Sequence, residues 1–438
     1  MNNFRIIRAC SSALAILAAG PVAAADLTPP PLAPAPPAPS SAWDGFYLGT
    51  GLGGSFEASQ FARPKSNLAK TSIGGFDGGP DISLFAGYNW QGPSRWVLGA
   101  EGQFTFLSVG HYRELGPTLD FLQHSPWVAS ATGRIGVETG TQSLIYGKLG
   151  PALIDVSGNT GFVGTFNSTL PAVQGGFGVE TMLTPLFGLR AEADYTHAVQ
   201  DLSLNAGTDR YRPNIMTVMV GGVFHFGPHV GAANAPPIPA PRWTGLEVGG
   251  DLSINGDEMH YQDTSLGETG PLAIPALGGG GFVALNWQAI PQAVIGVEAS
   301  GNYQNANLTT GAGSSGFYGT FYKFASLGGD LALSARAGWL ATPDTLLYGR
   351  VGAASMQVKT DYGYWNNYAP NPTGTRYMPA LLTGFGMETF VTSNLSVRVE
   401  GDWYSATNPI VFNGTVTPRE FTLRPSMVSA NTGLAWHF

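Results

Sequence analysis

Along most of this chain, polar and apolar residues alternate with a period of two, and charge keeps to one parity. In LRAEADY, Arg190, Glu192 and Asp194 share one face while Leu189, Ala191, Ala193 and Tyr195 share the other. Arg398, Glu400 and Asp402 oppose Val397, Val399 and Trp403 in the same way. Thr132, Arg134 and Glu138 oppose Ala131, Ile135 and Val137, and Glu101, Gln103 and Thr105 oppose Ala100, Phe104 and Phe106. Period two predicts β-strands with two chemically different faces. Eight such segments fall between residues 43 and 227, and eight more between 243 and 438.

The second eight repeat the first. YNWQ at 88 answers LNWQ at 285, SLIYGKLG at 143 answers TLLYGRVG at 345, GFGVET at 176 answers GFGMET at 384, and LRAEADY at 189 answers VRVEGDW at 397. Each copy opens on Trp-Xaa-Gly, at Trp43 and Trp243, and closes on Phe-His-Phe or Trp-His-Phe, at Phe226 and Phe438. Connections alternate in length. QGPSR at 91, TGT at 139 and TPLFG at 184 are short, while 58–79, 109–121, 158–169 and 204–210 are long, and the second copy follows suit. Short turns at one end and long loops at the other predict an antiparallel up-and-down transmembrane β-barrel with periplasmic turns and extracellular loops.

The first 25 residues read as a secretory signal peptide, with Arg5 and Arg8 before the apolar run ALAILAAGPVA and small residues at Ala23, Ala24 and Ala25. Cys10 is the one cysteine and falls within it, so stability has to come from strand pairing and packing. Residues 26–42 form a Pro-rich periplasmic segment, 43–227 the first barrel repeat, 228–242 a Pro-rich linker and 243–438 the second repeat. Acidic residues exceed basic ones by eight, which argues against a nucleic-acid partner.

WDGFYLG, AGYNWQ, VLGAEGQF, ATGRIGVE, LIYGKLG, GFGVET, RAEADY and VGGVFHFG, taken in order, resemble the small outer-membrane β-barrel proteins of alphaproteobacteria, described as outer-membrane immunogenic or porin-family proteins. The resemblance implies an outer-membrane location in a Gram-negative bacterium, with lipid and lipopolysaccharide around the barrel and no enzyme activity. It also implies a terminal aromatic residue read by the outer-membrane assembly machinery, here Phe438, with Phe226 as its internal counterpart. Haem binding occurs among relatives, which would make His111-Tyr112 or His124 the place to look.

Two architectures stay open, two tandem eight-stranded barrels or one sixteen-stranded barrel. The Pro-rich linker favours two, since at ~3.1 Å per residue its span far exceeds that of an ordinary turn. An eight-stranded interior is wide enough only for side chains. The charged lumen face is therefore expected to form an ion network that plugs each barrel. Its members are Glu101, Arg134, Glu138, Lys148, Glu180, Arg190, Glu192 and Asp194, then Glu298, Arg336, Arg350, Glu388, Arg398, Glu400 and Asp402. In a sixteen-stranded barrel the same charges would line a porin-like channel for small hydrophilic solutes. The aromatics Tyr47, Tyr88, Trp90, Trp96, Trp127, Tyr195, Trp287, Trp339, Trp403 and Trp436 are expected to anchor the strand ends at the membrane interfaces. No His-Xaa-Xaa-Xaa-His or Ser-His-acid set stands out, and no cofactor or metal is expected.

Overall fold

The computed structural model describes residues 43–58, 60–62, 76–92, 94–114, 120–139, 142–160, 164–204, 209–227, 242–263, 268–311, 321–360, 368–369, 374–414 and 420–438. The expected signal peptide, the first Pro-rich segment and all of the linker but Arg242 lie outside these residues.

The first repeat holds β1 (Gly45–Ala58), β2 (Gln60–Ala62), β3 (Phe76–Gln91), β4 (Trp96–Glu114), β5 (Asp120–Glu138) and β6 (Ser143–Thr160). It continues with β7 (Gly164–Met182), β8 (Phe187–Ala198), β9 (Leu202–Leu204), β10 (Asp209–Arg212) and β11 (Asn214–Phe226). The second holds β12 (Gly245–Asp263), β13 (Glu268–Ile290), β14 (Ala293–Gly311), β15 (Phe321–Thr342) and β16 (Thr345–Thr360). β17 (Tyr368–Ala369), β18 (Gly374–Phe390), β19 (Leu395–Ala406), β20 (Ile410–Gly414) and β21 (Glu420–His437) complete it.

β1 pairs antiparallel with β3 and also with β11, so that Phe46 lies between Tyr88 and Phe226. β12 pairs in the same manner with β13 and β21, placing Val248 between Val283 and Trp436. Each repeat therefore closes on itself as an eight-stranded antiparallel barrel. The strand ending at Phe226 pairs with β1 and β8, and β12 with β13 and β21, which removes the sixteen-stranded alternative. Closure leaves no barrel edge to template aggregation in the membrane.

Two departures from the sequence expectation have local causes. The last segment of the first repeat divides at Pro213, whose missing N–H cannot continue a ladder. Upstream of it β10 joins β2 and β9 in a separate three-stranded sheet above the first barrel. Parts of the expected long loops are also strand, because pairing runs outward to Glu114 opposite Asp120 and to Asp263 opposite Glu268. β13 has 23 residues, about twice what a tilted strand needs to cross a bilayer.

The repeated Trp-Xaa-Gly start has a structural reason. Gly45 and Gly245 sit at φ +124° and +143°, a conformation that L side chains rarely adopt. This bend turns each preceding Trp into the short-turn mouth of its own barrel. Trp43 packs there with Val97, Leu144, Tyr146 and Met182, and Trp243 with Val294, Leu340, Leu346, Tyr348 and Phe390.

Candidate functional site: the two barrel lumens

Strand parity directs charged side chains inward at mid-height. In the first barrel, Arg190 from β8 donates to Glu101 from β4 at 2.6 Å and, through two nitrogens, to Glu180 from β7 at 2.9 and 3.0 Å. Arg134 from β5 reaches Glu180 at 3.2 Å and lies 3.7 Å from Glu101. Lys148 from β6 donates to Glu192 at 2.6 Å and to Gln103 at 2.5 Å, and lies 2.9 Å from Asp194. Tyr47 and Tyr146 donate to Glu101 and Glu192 at 2.8 and 2.5 Å, and His225 meets Glu180 at 2.5 Å. All of these side chains are buried. Removing an ion from water costs several kcal/mol, and only dense pairing and hydrogen bonding offsets it.

The second barrel repeats the arrangement at equivalent positions. Arg336 donates to Glu247 at 3.1 Å and to Glu388 at 2.7 Å. Arg350 donates to Glu298 at 2.5 Å and lies 2.9 Å from Glu400 and 3.1 Å from Asp402. Arg398 donates to Glu298 at 2.8 Å, with its guanidinium 3.3 Å from the ring centre of Phe282. Tyr348 donates to Glu400 at 2.6 Å, and His437 meets Glu388 at 2.9 Å.

Glycine makes room for these large groups. A Cβ on Gly176 would lie 1.9 Å from the Asp194 carboxylate, and one on Gly384 2.0 Å from that of Asp402. This accounts for the repeated Gly-Phe-Gly of GFGVET and GFGMET, whose glycines face the lumen.

Above the ionic layer, toward the long loops, apolar clusters form among the inward-facing residues, beside buried polar groups such as Glu57, Asp257 and Gln304. Leu107, Val109, Val128, Ile154, Val156, Leu170 and neighbouring residues fill the first barrel. Met259, Leu327, Met356, Val358, Met378, Leu382 and Met427 belong to the corresponding cluster of the second. Each lumen thus holds a tryptophan cap, an ionic layer and an apolar stopper in sequence.

The outer membrane protein beta-barrel domain matches the chain twice, over residues 12–224 and 229–423. The chain belongs to this family. Its similarity to the 22 kDa outer membrane protein of Rhizobium leguminosarum bv. viciae is 29% identity over 179 residues, covering 39% of this chain and 67% of the relative. Among solved structures, Neisserial surface protein A is 16% identical with a TM-score of 0.26, covering 41% of this chain and 97% of that one. The Pseudomonas putida toluene transporter TodX is 11% identical with a TM-score of 0.29, covering 90% of this chain and 90% of that one.

Within this outer-membrane barrel, seven of the eight charged residues singled out in the first repeat join one cluster, and so do all seven in the second. Glu138 stands apart. It faces the lumen but sits at the short-turn rim, where Gln91 donates to it at 2.6 Å. Tyr47 also departs from expectation: it is 2% exposed inside the lumen, not an interfacial anchor. Trp90, Trp96, Trp287, Trp339, Trp403 and Trp436 do face outward, each about half exposed, as do Phe226 and Phe438. Alternation alone does not single out the network members Glu247, Asp251 and the tyrosines, although Glu247 is readable as the repeat equivalent of Tyr47.

Glu247, Glu388 and His437 bring three possible metal-ligand atoms within 4.8 Å of one another. The Arg336 guanidinium, bonded to both carboxylates, already supplies positive charge there. His124 Nδ1 lies 2.6 Å from the Val109 carbonyl, and His197 Nδ1 lies 2.6 Å from the Asn214 side-chain oxygen. The side chains of His111 and Tyr112 lie outside the described residues.

Proposed function

We propose that this outer-membrane protein is a non-conducting structural protein of the envelope, two plugged barrels that carry extracellular loops for contacts at the cell surface. The observation behind this reading is the filling of each lumen at three heights, with tryptophan, paired charge and packed apolar side chains. Conduction needs a continuous wet path, and side chains buried at all three heights work against one. The small sheet of β2, β9 and β10 supports the role of the loops, since it extends ordered structure beyond the barrel, with Arg212 held by Asp201 at 2.7 Å.

On this reading residues 1–25 direct export, lipid and lipopolysaccharide surround the barrels, and Phe438 presents the assembly signal. Phe226 retains the form of that signal at the end of the first barrel. Liposome swelling tests the proposal. Vesicles carrying the refolded protein should exclude small sugars as well as protein-free vesicles do, and rapid sugar entry would replace the plugged reading with a porin-like one.

A further inference from the structure

Side chains that point away from a barrel ought to meet lipid, and on most faces they are exposed. Leu98, Ile135 and Leu149 of the first barrel are 54, 53 and 65% exposed, and Leu331, Leu333 and Val351 of the second are 68, 64 and 54% exposed. One outward stripe on each barrel behaves differently. Val179, Ala191 and Val218 on the first, and Met387, Val399 and Val428 on the second, are nearly fully buried although they also point outward. They are buried against each other, with Ile145, Phe177 and Leu347 packed alongside.

At the periplasmic end of the stripe lies a closed set of four buried hydroxyls. Ser143 and Thr181 face each other across β6 and β7 at 2.7 Å, and Thr345 and Thr389 across β16 and β18 at 2.8 Å. The two pairs join through Ser143 to Thr389 at 3.1 Å and Thr181 to Thr345 at 3.2 Å. In such a ring every hydroxyl can donate one bond and accept one. Separation would leave each barrel its own hydroxyl pair but remove both bonds between the pairs, so the ring penalises barrels that separate or slide.

Ser143 corresponds to Thr345 in the repeat, and Thr181 to Thr389. Val179 corresponds to Met387 and Ala191 to Val399. The same surface is therefore used twice, related by an approximate twofold axis, which is the form of an isologous dimer. Small residues allow close approach: a Cβ on Gly401 would stand 3.0 Å from the Val218 side chain. A backbone pairing of Glu114 with Thr269 adds a contact at the loop end.

We propose that this stripe is a dedicated docking surface whose partner is the other barrel of the same chain, and that the hydroxyl ring fixes its register. The protein then works as one rigid internal dimer, and the Pro-rich linker is dispensable for holding the halves together once they are folded.

A protease site placed in the linker tests this in the full chain. After cutting, the two halves of the refolded protein should co-elute in mild detergent at the size of the uncut chain. In a Cys10→Ser background, Ser143→Cys with Thr389→Cys should oxidise to a species that stays full-length on a non-reducing gel after cutting. Leu98→Cys with Leu333→Cys, on free faces, should fall into two half-length bands. Separation of the cut wild-type halves overturns the proposal, as does equal crosslinking of the two cysteine pairs in folded protein. Should the cysteine variants fail to fold, co-elution of the cut chain decides alone.

Discussion

The two barrels solve the same burial problem with different charge. In the ionic layer the first sets Glu101, Glu180, Glu192 and Asp194 against Arg134, Lys148 and Arg190. The second sets their equivalents against three arginines and adds Glu247 and Asp251, where the first has Tyr47 and Gly51. Lys148 is a compact charge surrounded by acceptors, whereas Arg350 spreads one planar guanidinium over Glu298, Glu400 and Asp402. The second barrel can hold more carboxylate because all three of its cations are forked, and two of them, Arg336 and Arg398, also reach Glu247 and Asp251. A phenol in the first barrel does the work of a carboxylate in the second by donating to Glu101 instead of accepting from Arg336.

The sharpest way to break this comparison is to delete the central arginine of each barrel. Arg190→Ala and Arg398→Ala each strand buried carboxylates, and each should cost about 3–5 kcal/mol. Urea unfolding in lipid vesicles reads the loss, and the second barrel, with more acidic groups per cation, should lose more. A smaller effect should follow from exchanging the cations. Arg350→Lys should keep Glu400 and Asp402, as Lys148 keeps Glu192 and Asp194, but loosen the contact to Glu298 as Lys148 does to Glu101 at 3.5 Å, and should cost about 1.5–3 kcal/mol, the worth of one hydrogen bond to a charged group. Lys148→Arg, with acceptors already on several sides, should cost less in the same assay. Smallest is the exchange at the position where the repeats differ. Glu247→Tyr should stay within about 1 kcal/mol of wild type, since Arg336 keeps Glu388, while Tyr47→Glu should destabilise by leaving a further buried carboxylate beside Glu101.

These differences also mark how far the sequence could be read. The period-two pattern and the alternation of short and long connections carry the strands, the closure and the repeat. Parity carries the inward direction of Arg190, Glu192 and Asp194, because a charge facing lipid is costly whatever its neighbours are. Parity does not give height along the barrel axis, which is why Glu138 shares the face of Arg134 yet lies at the rim. Tyr47 shows the converse: its place near a strand end suggests an interface, but its parity is that of the lumen. The apolar stopper is hidden because Leu107, Ile154 and Leu170 share the parity of the charges and look like irregularities in a polar face. The docking stripe is hidden because Val179 and Ala191 look the same whether they meet lipid or a second barrel.

Single-channel recording in a planar bilayer tests the central claim most directly. The refolded protein should give no open-pore steps, and Trp43→Ala with Trp243→Ala should stay silent too, because the ionic layer and the apolar stopper still close each lumen. Stable conductance steps from the wild-type protein would contradict the account.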